Sequence, residues 1–198
     1  SWCLREQATT DAGLGQARCH GRRVRLYWPL ARKALSERYM DLVELLHKGK
    51  VWMNLGGSDS HGALSAAVSV LERSARIPDT VRAADLLESL LAREQRSSTA
   101  LGGGLAFPHP TASMAPDPSD AFIALFYPRF ALSWASPDGE PVKAIFMVVS
   151  NNPKDHLIAL SRLAKACANS GFRELLDREA GQAELCAYLG AFFPKPST

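Results

Sequence analysis

Two apolar runs, residues 122–127 and 142–149, constrain the fold of this chain more than any other feature. Runs that are apolar at nearly every position, rather than at alternate ones, are typical of strands buried on both faces. Residues 136–139, with the sequence Ser-Pro-Asp-Gly, have the chemistry of a turn between them. The chain is therefore expected to build its core around a sheet that other elements cover.

Helical periodicity surrounds these two runs. Apolar residues recur at helical spacing over residues 28–46, 60–74, 81–94, 154–167, 172–176 and 183–192. Residues 51–55 are β-rich, whereas residues 97–110 have loop chemistry with one apolar island at residues 105–107. This order predicts an α/β (α+β) domain with a mixed β-sheet flanked by helices on both faces.

Composition favours a soluble protein of the cytoplasm. The chain has 198 residues, 46% of them hydrophobic, and no apolar run approaches the roughly 20 residues of a membrane-spanning helix. The first residues lack the basic start and apolar stretch of a secretory signal. Four cysteines have neither disulfide-scaffold nor zinc-site spacing, namely Cys3, Cys19, Cys167 and Cys186.

Charge separates the N-terminal part from the rest. Residues 1–50 hold ten Lys and Arg against five Asp and Glu. We therefore divide the chain into a basic N-terminal extension at residues 1–49, a main domain at residues 50–193 and a tail at residues 194–198. Only the extension is a candidate for binding an anionic partner.

The stretch that carries the most chemistry is residues 98–109, with the sequence Ser-Thr-Ala-Leu-Gly-Gly-Gly-Leu-Ala-Phe-Pro-His. Glycines let backbone amides approach an anion closely, and an imidazole can act as a nucleophile near neutral pH. Taken alone, the same residues also fit a flexible connection followed by a surface turn.

The spacing of this stretch resembles a known family. Matching residues are Arg93-Glu94, Ser98-Thr99, Gly102, Gly104, Leu105-Ala106 and Pro108-His109, followed by Asp138-Gly139, Pro141-Val142 and His156-Leu157. Their order is similar to that of enzyme IIA domains of the bacterial phosphotransferase system, of the fructose, mannitol and nitrogen-regulatory type. The similarity covers roughly residues 50–190 and implies an enzyme IIA fructose/mannitol-like fold.

The resemblance implies specific roles for residues of this chain. His109 would accept a phosphoryl group, and His156 would lie against it and hold its orientation and tautomer by hydrogen bonding. Arg93 would place a guanidinium beside the phosphoryl oxygens. The phosphoryl loop would consist of Ser98, Thr99, Gly102, Gly103 and Gly104. The alternatives are a solvent-facing His156 and an Arg93 that forms only an exposed ion pair.

The implied function is that of a histidine phosphocarrier in a regulatory role, and so of a phosphotransferase. Phosphorylated HPr would be the donor, and a sugar-specific enzyme IIB or a regulatory protein the target. We expect neither a metal nor a cofactor. The chain departs from the family at Gly103, where a polar residue is more usual, and at Pro110, where a small residue is. Because proline lacks an N–H, Pro110 favours the alternative of an enzyme IIA-like binding module that is not phosphorylated.

The extension resembles part of an excisionase/MerR-like winged helix-turn-helix over residues 20–29. In that interpretation Arg22, Arg23 and Arg25 would contact DNA phosphates, and phosphorylation of the main domain would control a DNA-binding regulator. The alternative is a basic extension that packs on the main domain or trails from it.

Overall fold

The computed structural model describes residues 15–19, 22–26 and 41–195. The chain divides into two units, Ser1–Tyr39 and Met40–Thr198. This division falls earlier than the predicted boundary at residue 49, because helix α1, Leu42–Gly49, packs on a strand of the second unit.

The first unit contains an antiparallel hairpin, formed by β1, Gly15–Cys19, and β2, Arg22–Leu26. The remainder of the predicted winged helix-turn-helix lies outside the described residues, as does most of the helical pattern predicted over residues 28–46.

A five-stranded mixed sheet forms the centre of the second unit. Its strands are β3, Val51–Leu55; β4, Ala100–Gly102; β5, Leu105–Ala106; β6, Phe122–Pro128; and β7, Ala144–Val149. The strand order is β3-β6-β7-β5-β4. The β3–β6 and β5–β7 pairs are parallel, whereas β6–β7 and β4–β5 are antiparallel. The predicted mixed sheet is confirmed.

The two central strands are the apolar runs of the sequence. Every residue of β6 and β7 is buried. Because successive side chains point to opposite faces, complete burial requires that both faces of the sheet be covered. The turn predicted at residues 136–139 is also present, with Gly139 N–H donating to the carbonyl of Ser136 at 3.1 Å.

Six α-helices lie within residues 41–195. After α1 they are α2, Ser60–Arg73; α3, Ala83–Arg96; α4, Pro153–Cys167; α5, Ser170–Asp177; and α6, Gln182–Phe192. Local chemistry sets their starts: Asp59 caps α2 by accepting from Gly62 N–H, and Asn152 caps α4 by accepting from Asp155 N–H. Pro153 occupies the first turn of α4, where a missing N–H costs nothing.

Gly49 allows α1 to approach the sheet closely. A Cβ atom at this position would lie 2.2 Å from the carbonyl oxygen of Ile123 on β6. Only a residue without a side chain fits there, so the helix end packs directly on the backbone of the strand.

The structure corrects two predictions. Residues 97–110 are not all loop, because β4 and β5 pair as a short hairpin and β5 also pairs with β7. Helix α3 begins at Ala83 rather than at the predicted residue 81. Residues before it form a turn, in which Val81 N–H donates to the carbonyl of Pro78 at 2.8 Å.

Candidate functional site

Sheet topology brings His109 and His156 to one edge. His109 follows β5, and His156 lies in the first turn of α4, which follows β7. Because β5 and β7 are parallel, their carboxyl ends meet at the same edge of the sheet, where ligands bind in many α/β proteins. The backbone just before His109 is fixed on the sheet, since Val148 N–H donates to the Pro108 carbonyl at 2.9 Å.

Both ring nitrogens of His109 have partners. Nδ1 lies 2.8 Å from the carbonyl oxygen of Phe107, which can only accept, so Nδ1 carries the proton. Nε2 then has the lone pair and accepts from Nε of Arg93 at 3.0 Å. The neutral Nδ1–H tautomer thus directs its nucleophilic nitrogen towards a guanidinium.

The surroundings favour the neutral form of this imidazole. Burial lowers the pKa of His109 below its ordinary value, and the positive charge of Arg93 lowers the pKa further. The Phe107 carbonyl and the charge of Glu94 act in the opposite direction without reversing the shift. At neutral pH the Nε2 lone pair is therefore not protonated.

His156 packs against His109 but does not set its tautomer. The ring centroids are 4.6 Å apart and the planes are tilted by 51°. Within residues 41–195 no hydrogen bond joins the two imidazoles, because Phe107 and Arg93 occupy both nitrogens of His109. Phe107 and Arg93, rather than His156, therefore fix the tautomer and orientation of His109 by hydrogen bonding. Burial, followed by the charges of His109 and Arg93, lowers the pKa of His156 to about 4.

Arg93 links the end of α3 to the histidine. Besides the bond from Nε to His109, its Nη1 donates to the carbonyl of Ser97 at 2.7 Å. A cation near a helix C-terminus also interacts favourably with the helix dipole. Arg93 therefore does not form only the exposed ion pair that was the alternative, and its contact with phosphoryl oxygens stays a prediction.

Glu94, which was not among the predicted site residues, is the centre of a polar cluster. Its carboxylate accepts from Thr99 N–H at 3.0 Å, from Thr99 Oγ1–H at 2.5 Å and from Trp134 Nε1–H at 2.8 Å. Thr99 in turn accepts from Phe107 N–H at 2.9 Å. The cluster thereby connects α3 to the segment that carries the Phe107 carbonyl and His109.

The predicted phosphoryl-loop residues are not at the imidazole. Gly102, Gly103 and Gly104 form the β4–β5 turn, all with positive φ angles. Gly103 N–H donates to Asp138 at 2.6 Å, and its carbonyl accepts from Arg173 at 2.6 Å. Hydrogen bonds from Ser136 and Gly103 lower the pKa of Asp138 to about 2. These contacts hold the turn in place.

Of the other two loop residues, Thr99 is buried at 4% exposure and bound to Glu94. Ser98 Oγ accepts from Ala100 N–H at 3.2 Å. Neither they nor the three glycines line the pocket at His109. Their geometry supports a role in shaping the backbone rather than in contacting an anion.

A pocket of about 340 Å³ opens over His109. Its walls are Arg93, Arg96, Pro110, Ser150 and His156, together with residues 111–113 and Pro153. None of these lining residues is acidic, so the two guanidiniums give the pocket a positive potential that suits an anion. Arg96 was not among the predicted site residues, because exposed arginines at helix ends are common.

Pro110 is buried in the pocket wall. The next residue, Thr111, donates its N–H to Ser89 Oγ at 3.0 Å, and the two hydroxyls lie 2.9 Å apart. Pro110 has no backbone N–H, and the next backbone N–H, that of Thr111, is already bound to Ser89 on α3.

The part of the chain that the structure describes contains neither a metal-site cluster nor a membrane-spanning helix. No group of three or more His, Cys, Asp and Glu residues there has the arrangement of a metal site. No described helix is both long and apolar enough to cross a bilayer.

Arg22, Arg23 and Arg25 lie on β2 of the first unit. In the hairpin register Arg23 is opposite Arg18 and Arg22 is opposite Cys19. Contact of these arginines with DNA stays a prediction.

Comparison with known proteins identifies relatives of the second unit. Residues 44–191 match the family model described as "Phosphoenolpyruvate-dependent sugar phosphotransferase system, EIIA 2". The fructose-specific EIIABC component of Bacillus subtilis (strain 168) is 31% identical over 147 residues, which are 73% of this chain. They are 22% of that relative, so the match spans about a fifth of its length. The nitrogen regulatory protein of Pseudomonas aeruginosa is 29% identical over 145 residues, 72% of this chain and 90% of the relative.

Solved structures agree with this assignment. Nitrogen regulatory protein IIA-Ntr from Neisseria meningitidis has a TM-score of 0.63 and 30% identity, over 74% of this chain and 97% of that one. Enzyme IIA-mannitol of Escherichia coli, solved with phosphorylated enzyme IIB-mannitol, has a TM-score of 0.58 over 72% of this chain and 95% of that one. At 14% identity the latter supports the fold alone. The family match begins at residue 44, and these comparisons give no support to a helix-turn-helix remnant or to DNA binding.

Proposed function

Because this chain belongs to the EIIA 2 family of the phosphoenolpyruvate-dependent sugar phosphotransferase system, we propose that it is a phosphocarrier that accepts a phosphoryl group on Nε2 of His109. The single observation that carries the proposal is the fixed tautomer. The Phe107 carbonyl holds the proton on Nδ1, at 2.8 Å, and leaves the lone pair on the nitrogen that lines the pocket.

The proposed donor is phosphorylated HPr. Nε2 of His109 attacks the phosphorus in line, a new N–P bond forms and the N–P bond of the donor breaks. The donor imidazole recovers the electron pair of the broken bond, so no oxidant or further reactant is needed. As Nε2 attacks, positive charge develops on the His109 ring. The Nδ1–H bond to the Phe107 carbonyl stabilises this charge without any rearrangement.

Arg93 changes partner during this step. In the unphosphorylated chain its Nε occupies the lone pair of His109, so this contact must break before Nε2 can attack. The second bond, from Nη1 to the Ser97 carbonyl, keeps the guanidinium at the pocket. It then donates to the phosphoryl oxygens, which are better acceptors than a neutral imidazole because they are charged.

His156 contributes a neutral ring. With a pKa of about 4 it has no charge at neutral pH, and its ring packs against that of His109, with the centroids 4.6 Å apart. The ring excludes water from the N–P bond and holds the nucleophile in one orientation. A histidine in this state can also donate one N–H to a phosphoryl oxygen.

The proposed role is regulatory, with an enzyme IIB or a regulatory protein as the receiver of the phosphoryl group. The similarity to the nitrogen regulatory protein of Pseudomonas aeruginosa supports a regulatory role, and the similarity to a fructose-specific component supports an enzyme IIB receiver. A cytoplasmic location is part of the proposal, since Cys167 and Cys186 are buried and free.

A second candidate function is a binding module that uses the same fold without phosphorylation. Pro110 is the observation that favours it. The residue removes a backbone donor beside His109, and Thr111 N–H is bound to Ser89. In this alternative the pocket contacts a partner protein while Arg93 stays on Nε2.

One experiment separates the two functions. The protein is incubated with phosphoenolpyruvate, enzyme I and HPr, and intact mass is measured before and after mild acid. We expect one acid-labile phosphoryl group on the unmodified chain and on His61→Ala, an exposed histidine outside the pocket. We expect none on His109→Ala. If no chain is labelled while a known enzyme IIA in the same mixture is, phosphotransfer from HPr is rejected and the binding module is favoured.

A further inference from the structure

The last turn of α3 presents two arginines to the same pocket. Arg93 and Arg96 are three residues apart on the helix and therefore lie on one face. Both line the pocket with His109. Arg93 donates to His109 and to Ser97, whereas Arg96 is exposed and its side chain, among residues 41–195, forms no hydrogen bond or ion pair.

The positive charge of Arg96 has no counterpart in the pocket wall. No lining residue is acidic, and the neighbouring carboxylate of Glu94 is occupied by Thr99 and Trp134. Two like charges at this spacing repel each other when no anion is present. Elsewhere in the second unit Arg82 and Arg178 each pair with an acidic side chain within reach. The pocket thus keeps an uncompensated charge that an entering dianion would neutralise.

Pro110 leaves the anion with fewer donors than a backbone could supply. The residue has no N–H, and the next N–H, of Thr111, is bound to Ser89. A guanidinium carries five N–H donors in a planar fork that matches phosphate oxygens. Because Arg96 lines the same pocket as Pro110, its side chain can supply donors to an anion that the backbone at Pro110 cannot.

We propose that Arg96 is a second phosphoryl-binding residue, whose guanidinium donates to the oxygens of the phosphoryl group on His109 Nε2. The inference rests on the proposed phosphocarrier function and adds a residue to its site. The two arginines bind the anion in sequence. Arg96 is free and binds the entering anion first, and Arg93 follows once its bond to Nε2 has broken.

The first test uses inorganic phosphate as the probe and needs no phosphorylation. Protein labelled with ¹⁵N-histidine is titrated with phosphate at neutral pH and low salt, and shifts of the His109 and His156 signals report binding. Arg96→Gln should weaken the affinity at least about fivefold, because a charge-assisted bond is lost. Arg96→Lys keeps the charge but loses the planar guanidinium. Its affinity for phosphate should lie between those of Arg96→Gln and the unmodified chain.

Arg76→Gln is the matched control, since this exposed arginine follows α2 and lies outside the pocket. It should bind phosphate as the unmodified chain does. Equal affinities of Arg96→Gln and Arg76→Gln would overturn the inference, and so would the absence of phosphate binding by the unmodified chain.

A second arm measures the rate of phosphoryl transfer from phosphorylated HPr to the same variants. We expect a decrease of at least about tenfold for Arg96→Gln and no change for Arg76→Gln. If phosphate binding depends on Arg96 but HPr labels no variant, the proposed donor reaction fails while the anion site stands. If HPr labels His109 equally in all variants and the phosphate affinities are also equal, the role of Arg96 is rejected while the proposed phosphocarrier function stands.

Discussion

Arg93 donates from Nε to Nε2 of His109 across 3.0 Å, so the predicted phosphoryl-binding residue occupies the predicted nucleophile in the unphosphorylated chain. The contact orients the imidazole and occupies its lone pair, while burial, assisted by the charge of Arg93, lowers the pKa of His109. In the proposed reaction, this contact is exchanged for one between Arg93 and the phosphoryl oxygens. The structure thus describes a site in which His109 Nε2 already has a partner, and the proposed phosphoryl group would have to replace it.

Replacing Arg93 should raise the pKa of His109. The charge of Arg93 lowers this pKa, so Arg93→Gln removes one cause of the shift while burial remains. We expect a rise towards the ordinary value, measured by NMR titration of the ring protons. Phosphoryl transfer should slow about 100-fold, the usual effect of losing a donor to the transition state. A pKa of His109 that stays the same or falls in Arg93→Gln, relative to Arg76→Gln, would show that Arg93 does not act on the ring.

Acid should destabilise the second unit through His156. Its pKa falls from 6.5 to about 4 on folding. Below pH 6.5, His156 is protonated in the unfolded chain but stays neutral in the folded chain. The free energy of unfolding therefore decreases as the pH falls from 6.5 to 4. Below pH 4 His156 is protonated in both states, and its contribution no longer changes. Allowing for partial solvent access, we expect a loss of about 1–2 kcal/mol.

Denaturant unfolding at several pH values checks this dependence. His156→Gln should lose less stability than the unmodified chain between pH 6.5 and 4, whereas His61→Gln should follow the unmodified chain. Parallel pH profiles for His156→Gln and the unmodified chain would contradict the assignment.

Glu94 should contribute to the free energy of unfolding through its hydrogen bonds to Thr99 and Trp134. One oxygen of the Glu94 carboxylate accepts from Thr99 and the other from Trp134, so the amide of Glu94→Gln, with an oxygen on one side only, leaves one of these two residues without its acceptor. We expect a loss of about 1–3 kcal/mol of unfolding free energy, the usual cost of leaving buried donors unpaired. Chemical denaturation measures this loss. Glu88→Gln, an exposed acid on the same helix, is the control and should change the stability by less than about 0.5 kcal/mol.

Several elements were predictable because their signals are local. The continuous apolar runs of β6 and β7 indicate buried strands without reference to the rest of the chain. Asp59 and Asn152 each accept from a backbone N–H only three residues further on, so these helix starts also depend on neighbouring residues alone. Arg93, His109 and His156 were singled out by a spacing that resembles a family, and the structure places their side chains together.

Other features depend on partners distant in the sequence. The β4–β5 hairpin forms around three glycines that indicate a loop, because β7 supplies a neighbouring strand. The bond between Glu94 and Trp134 spans forty residues. The acceptor that fixes the tautomer of His109 is a backbone carbonyl, which every residue has and no sequence pattern reveals.

Pro110 should limit the rate of phosphoryl transfer. Pro110→Gly restores an N–H beside His109 and relaxes the turn, so we expect transfer from HPr to be several-fold faster. The variant should also be about 1 kcal/mol less stable, because glycine increases the entropy of the unfolded chain. Rapid-quench kinetics measures the rate, and Pro116→Gly in the exposed part of the same loop is the control. A slower Pro110→Gly would indicate that the rigid turn assists transfer.

The most direct test of the central claim is the identity of the phosphorylated atom. Protein labelled with ¹⁵N-histidine is incubated with phosphorylated HPr, and ¹⁵N–³¹P coupling is measured by NMR. The account predicts coupling to Nε2 of His109 and to no other histidine nitrogen, because the Phe107 carbonyl holds the proton on Nδ1. Coupling to Nδ1 of His109, or to another histidine, would contradict it.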